Sequence, residues 1–314
     1  MLMTEHYRPE FFSRFEAMEQ PCSCHACQQS QDNWPRISVT LNNQLRESLD
    51  LGCEKAAREA LLNPDAYILQ MIHVGPEYKA EPDLWLETLN QQCINLAINP
   101  SLSCSGSLYA MGVLLSKAQQ YKDANNTDPA LLVSMGEQLA ILADQGMLED
   151  QLALLPRIDE HRQALLRQMG TMRLHLNLQE RDRMGMLLKL SELGVLSQAY
   201  LTERLDEMIK FDMNGKLFEK REHVPRNWLL YQLYSDIFPG RVYTNYGQAF
   251  KALTGKFFQL RMLLSLWLSD HESLSDEAFI ALFTAWFRWQ QQLGQDVEEG
   301  HTSDYTLLCA MSLL

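Results

Sequence analysis

The stretch TDPALLVSMGEQLAILADQGM, residues 127–147, decides the fold class of this chain. Asp128 can accept from the first free N–H groups of a helix, and Pro129 suits the first helical position, where no N–H is needed. Leu131, Leu132, Met135, Leu139 and Leu142 then fall on one stripe at helical spacing, and Gly146 can end it. Start signal, stripe and stop signal agree, so the segment reads as an amphipathic helix.

The same signals recur outward from it. Helices are predicted over roughly 154–170, 180–194, 197–211 and 226–237. SDEAFIALFTAWFRWQQQ (275–292) stacks Phe279, Leu282, Phe283 and Trp286 on one face behind an acidic first turn. Upstream, LNNQLRESLDLGCEKAAREALLNPDAY (41–67) carries Leu41, Leu45, Leu49 and Leu51 at near-helical spacing. Helix is therefore expected from about residue 43 to the break at Asn63-Pro64. ISVTL (37–41) is the best strand candidate. The expected fold is mainly α: a bundle-like multi-helix domain over residues 81–314, preceded by a small, irregular, cysteine-bearing region over residues 1–80.

With 314 residues, 46% of them hydrophobic, the chain can bury a sizeable core. Its net charge of −13 and pI near 5.1 disfavour nucleic acid and anionic membranes, which attract clustered Lys and Arg. The first twenty residues contain no apolar run of signal-peptide length, and MLLSLWL (262–268) is too short to span a bilayer. Seven cysteines, odd in number and unevenly spaced, argue against a disulfide framework. A cytoplasmic protein without membrane contact is expected.

Three of those cysteines and a histidine crowd into PCSCHACQQSQDNWPR (21–36): Cys22, Cys24, His25 and Cys27. Cys24-x-x-Cys27 lets two thiolates converge on one metal, Cys22 and His25 can add to it, and Cys53 can close a four-ligand site. A structural loop with incidental thiols and a redox-reactive cluster stand as the other readings. Cys93, Cys104 and Cys309 lie in apolar surroundings and read as plain buried thiols. Arg36 is either a carboxylate holder or a surface arginine of a packed turn. Arg46 reads as a helix-surface ion-pair partner or a functional group. Tyr231, Tyr234, Tyr243 and Tyr246 read as a pocket lining or an aromatic seam. No Gly-rich loop follows a strand, so the Rossmann-type cofactor fingerprint is absent.

Three stretches carry a resemblance. In residues 25–67 a cysteine precedes the aromatic-Pro-Arg triplet Trp34-Pro35-Arg36. Arg46, Ser48, Leu49, Leu51 and Cys53 follow, and then Asn63-Pro64-Asp65-Ala66. RPEFFSRFEAMEQPCSCHAC (8–27) places a Pro-x-Phe segment before a cysteine cluster. NWLLYQLYSDIFPG (227–240) precedes the helices around FFQLRMLLSLWL and LSDEAFIALFTAWFRW. In this order they resemble the flagellin lysine-N-methylase family, as a shortened or divergent member. The resemblance implies transfer of methyl groups from S-adenosylmethionine to lysine side chains of flagellin. It also implies an iron–sulfur cluster (4Fe-4S) held by N-terminal cysteines, with Cys27 and Cys53 foremost and Cys22 and Cys24 completing the set. Arg36 and Arg46 become the candidate cofactor-binding residues. Only QQSQDN separates Cys27 from Trp34. That shortening motivates the alternative: a catalytically inactive or zinc-stabilised helical protein-binding module built on the same scaffold.

Overall fold

Helix α6 (Pro129–Asp144) forms where its signals lie: the Asp128 carboxylate accepts from Ala130 N at 3.0 Å, and Gly146 adopts φ +75° just beyond the end. The computed structural model describes residues 4–18, 22, 24–29, 34–73, 82–213, 215–240, 243, 245–293 and 303–314. The boundary expected near residue 80 falls among residues 74–81, outside the described residues. Fourteen α-helices and four strands lie within them, so the chain is mainly α, as its sequence implies.

The N-terminal part is built on a sheet of strand order β2-β3-β1-β4, from β1 (Glu5–Pro9), β2 (Arg36–Leu41), β3 (Gln44–Leu49) and β4 (Leu69–His73). β2 and β3 form an antiparallel hairpin whose turn, Asn42-Asn43, places Asn42 at φ +51°. β1 runs parallel to β3 and antiparallel to β4. The predicted strand 37–41 is thus present, but the helix expected from residue 43 is not: residues 44–49 are strand. Leu45 and Leu49 sit four apart, an even spacing that places them on one face of a strand as readily as on one side of a helix. Helix begins only at α3 (Glu54–Leu62), which ends just before the Asn63-Pro64 break. Short helices α1 (Glu10–Glu16) and α2 (His25–Gln29) complete this part.

The helical part contains α4 (Leu84–Ile98), α5 (Cys104–Asp123), α6, α7 (Met147–Ala153), α8 (Asp159–Met169), α9 (Glu180–Val195) and α10 (Gln198–Met213). α11 (His223–Ser235), α12 (Tyr246–Leu268), α13 (Asp276–Gln292) and α14 (Ser303–Met311) follow. The helix expected from residue 154 starts at Asp159, beyond Pro156. α12 is the central element: the whole run Phe257–Leu268 is buried, and α5, α8, α10, α13 and α14 pack around it. None of the described helices is long and apolar enough to cross a membrane.

The sheet meets the helices through α3, which lies against α11 and α13, and through β3, which lies against α11. This junction is polar as well as apolar. Ser48 and Ser235 share a hydroxyl hydrogen bond of 2.6 Å, Tyr231 donates to Leu49 O at 3.0 Å, and Tyr234 donates to Tyr7 O at 3.1 Å. Tyr231 and Tyr234 therefore form a seam between the two parts, each hydroxyl donating to a strand carbonyl.

Candidate metal centre

β3 ends at Leu49, and the chain turns through Asp50, Leu51 and Gly52 to Cys53, the N-cap residue of α3. That position puts a thiol at the positive end of a helix, where the Ala56 N–H offsets part of what burial costs its thiolate. Cys24 approaches from just before α2 and Cys27 from within it, and Gln28 N donates to Cys24 O at 3.0 Å. Cys22 completes the group. The four Sγ atoms lie within 4.8 Å of one another, and Cys53 Sγ stands 3.6 Å from both Cys27 Sγ and Cys22 Sγ. Cys27 and Cys53 are buried, while Cys22 and Cys24 are half-buried. The four cysteines named from sequence thus meet at one point. The side chain of His25 and residues 30–33 of the QQSQDN gap lie outside the described residues.

The thiols are electrostatically unequal. Burial and the neighbouring Cys53 push Cys27 up, and burial chiefly pushes Cys53 up to about 12. Cys24 moves the other way: burial raises it, but the Cys27 backbone N–H and the Cys22, Cys27 and Cys53 thiols outweigh that by donating to its sulfur. Cys24 is thus the sulfur from which a proton leaves most readily, with its neighbours donating toward it. An ion entering this cage replaces those protons.

The donor set suits a soft ion. With Zn–S bonds of about 2.3 Å, sulfurs at the corners of a tetrahedron stand about 3.8 Å apart. The 3.6 Å separations match that edge. A four-iron cubane takes each thiolate on a different iron, so its sulfurs must stand wider. The donor chemistry fits either group; the spacing as it stands fits a single ion, and a cubane requires the cage to open.

The two arginines lie on opposite faces of the sheet, because the β2–β3 register pairs Arg36 with Leu49 and Val39 with Arg46. Arg36 is 44% exposed; its Nη2 donates to Glu16 at 3.2 Å, its Nε lies 3.7 Å from Glu47, and its guanidinium covers the Phe12 ring. Arg46 is not on a helix surface, as one reading had it. It is a strand residue, 4% exposed, that donates to Asn90 Oδ1 at 2.8 Å and twice to Gln44 Oε1, over the Tyr234 ring. Asn90 passes the contact on, donating to Leu233 O and Phe238 O. No sequence motif marks Asn90.

Sequence reading also missed Arg288. From α13 its Nε donates to Gly52 O at 2.8 Å, and its Nη2 donates to the same oxygen. Gln291, one turn on, donates to Asp50 Oδ1 at 3.2 Å, and that oxygen accepts from Gly52 N at 2.7 Å. Separately, a cleft of about 470 Å³ opens beyond the far end of α3, lined by Leu62, Lys216, Lys220, Arg221, His223 and Glu272 among others. No cysteine lines it.

Residues 90–300 match the family model described as the FliB lysine N-methylase C-terminal domain. Lysine-N-methylases of Salmonella typhimurium and Salmonella choleraesuis are each 28% identical over 138 residues, covering 41% of this chain and 32% of the relative. The match thus spans about a third of the length of these curated relatives. No solved structure matches. The family match begins after the cysteine cage and includes α13.

Proposed function

The chain belongs to the FliB lysine N-methylase family, and from that membership we propose that it is a protein-lysine N-methyltransferase acting in the cytoplasm. In this reading it transfers methyl groups from S-adenosylmethionine to lysine side chains of flagellin. The observation that carries the reading is the family match over residues 90–300. The relatives' names supply the acceptor residue; flagellin and the donor come from the resemblance in the N- and C-terminal motifs.

A lysine acceptor must be neutral to attack, and a free lysine titrates near ~10.4, so the site has to desolvate it or take its proton. S-adenosylmethionine, when bound, supplies an electrophilic methyl group and a carboxylate. Arg36 is the proposed holder of that carboxylate, exchanging Glu16 for it, since it is exposed enough to be reached. Arg46 is proposed to act from the opposite face by fixing β3. Cys22, Cys24, Cys27 and Cys53 are the proposed ligands of the iron–sulfur cluster or, alternatively, of zinc. With four protein ligands the group is coordinatively closed, which gives it an electron-transfer or structural role.

The test is methyl transfer to purified flagellin, read by intact mass, with protein isolated anaerobically and analysed for iron and zinc. Mass gain that requires both donor and enzyme is the expected result. A second reading, the zinc-stabilised binding module, is favoured by the single-ion spacing of the sulfurs. Loaded protein that carries one zinc, no iron, and leaves flagellin unmodified would decide for it.

A further inference from the structure

We propose that Arg288 is a positioning residue of the cysteine cage. It holds the Cys53 loop in its ligating shape and supplies countercharge to the loaded site, so that ion occupancy and the seating of α13 depend on each other. The proposal rests on the reading that the cage holds a metal ion.

The geometry is specific. Gly52 O is a buried acceptor adjoining a ligand, and both Arg288 donors go to it. The rest of the loop is fixed from several sides: Tyr231 on Leu49 O, Cys53 N on Asp50 O at 3.1 Å, and Asp50 N on Pro35 O at 2.6 Å. Gly52 also packs closely, since a Cβ there would lie 3.2 Å from Arg288 Cγ and 3.0 Å from Asp50 Oδ1. Among the described residues no carboxylate lies within ion-pair distance of the half-buried Arg288. Four thiolates around a divalent ion leave two net negative charges, and a nearby guanidinium offsets them where solvent is partly excluded. Groups that hold a ligating loop in this way tune metal affinity without touching the ion.

The experiment uses the full chain, prepared metal-free under reducing conditions and loaded with zinc(II) alone. Arg288→Met keeps the stem and removes both donors; Arg288→Lys keeps the charge. Arg204→Met, which removes a 2.8 Å pair with Glu207 inside α10, is the control. Zinc affinity by chelator competition is expected to fall about 10–100-fold in Arg288→Met, less in Arg288→Lys, and not in the control. The rise in melting temperature on adding zinc is expected to shrink in Arg288→Met, and the cobalt(II)-loaded site to change its absorption spectrum. Equal destabilisation of metal-free and loaded Arg288→Met, with zinc affinity unchanged, would make the contact plain packing and overturn the proposal. Wild-type protein that takes up neither zinc nor, on anaerobic reconstitution with iron and sulfide, an iron–sulfur cluster would sink the metal reading itself, before any variant is compared. Neither result depends on flagellin methylation.

Discussion

Arg46 keeps a charge inside the protein by giving its donors to the neutral oxygens of Asn90 and Gln44, with the Tyr234 ring beside it. Burial lowers its pKa, but an arginine remains charged through any physiological range. Arg46→Met should therefore strand Asn90 Oδ1 and Gln44 Oε1, at a cost of about 2–3 kcal/mol; urea unfolding would register it as a lower midpoint. A midpoint within error of wild type would show that water replaces the guanidinium. The sequence carried one part of this neighbourhood and not the other. Clustered cysteines announce themselves, because soft ligands at close spacing have few other uses in a reducing compartment. An arginine does not announce whether it faces solvent. Arg46 was buried by its strand register, and Arg288 was recruited across 236 residues by tertiary packing.

At the scale of elements, helices with complete signals were legible. α6 has its cap, its proline and its stop; α9, α10, α11 and α13 fall within a few residues of their predicted spans. The sheet was less legible. Leucines at even spacing satisfy both periods, and β4 places Leu69, Met71 and Ile72 partly in solvent on both faces, so no alternation marks it. Where two helices touch backbone to backbone, the prediction is sharp. A Cβ on Gly170, at the end of α8, would lie 2.3 Å from Gly194 N in α9, and main chain cannot swing aside as a side chain can. Gly170→Ala should cost about 1–3 kcal/mol and lower the melting temperature. An unchanged melting temperature would mean that α8 and α9 can part at that crossing.

For the molecule as a whole, the buried acids on the helical side set an alkaline limit. Burial pushes Cys93 up to about 12 and raises Tyr231 well above its usual range. Both are protonated in folded and unfolded chains at neutral pH, so their contribution is complete there. Above the unfolded values the unfolded chain ionises first, and stability falls as pH rises, by about 1.4 kcal/mol per pH unit for each such group. Chemical denaturation between pH 8 and about 10.5 should show that decline, and Cys93→Ala should make it shallower. The grip of α13 on the Cys53 loop has a further consequence, in the order of synthesis. All four thiols leave the ribosome within the first 53 residues, whereas Arg288 is added 235 residues after Cys53. At ordinary elongation rates the nascent chain carries an unclasped cysteine set for on the order of ten to fifty seconds, an interval in which reducing conditions and metal supply act on a cage that its own C-terminal half has not yet closed.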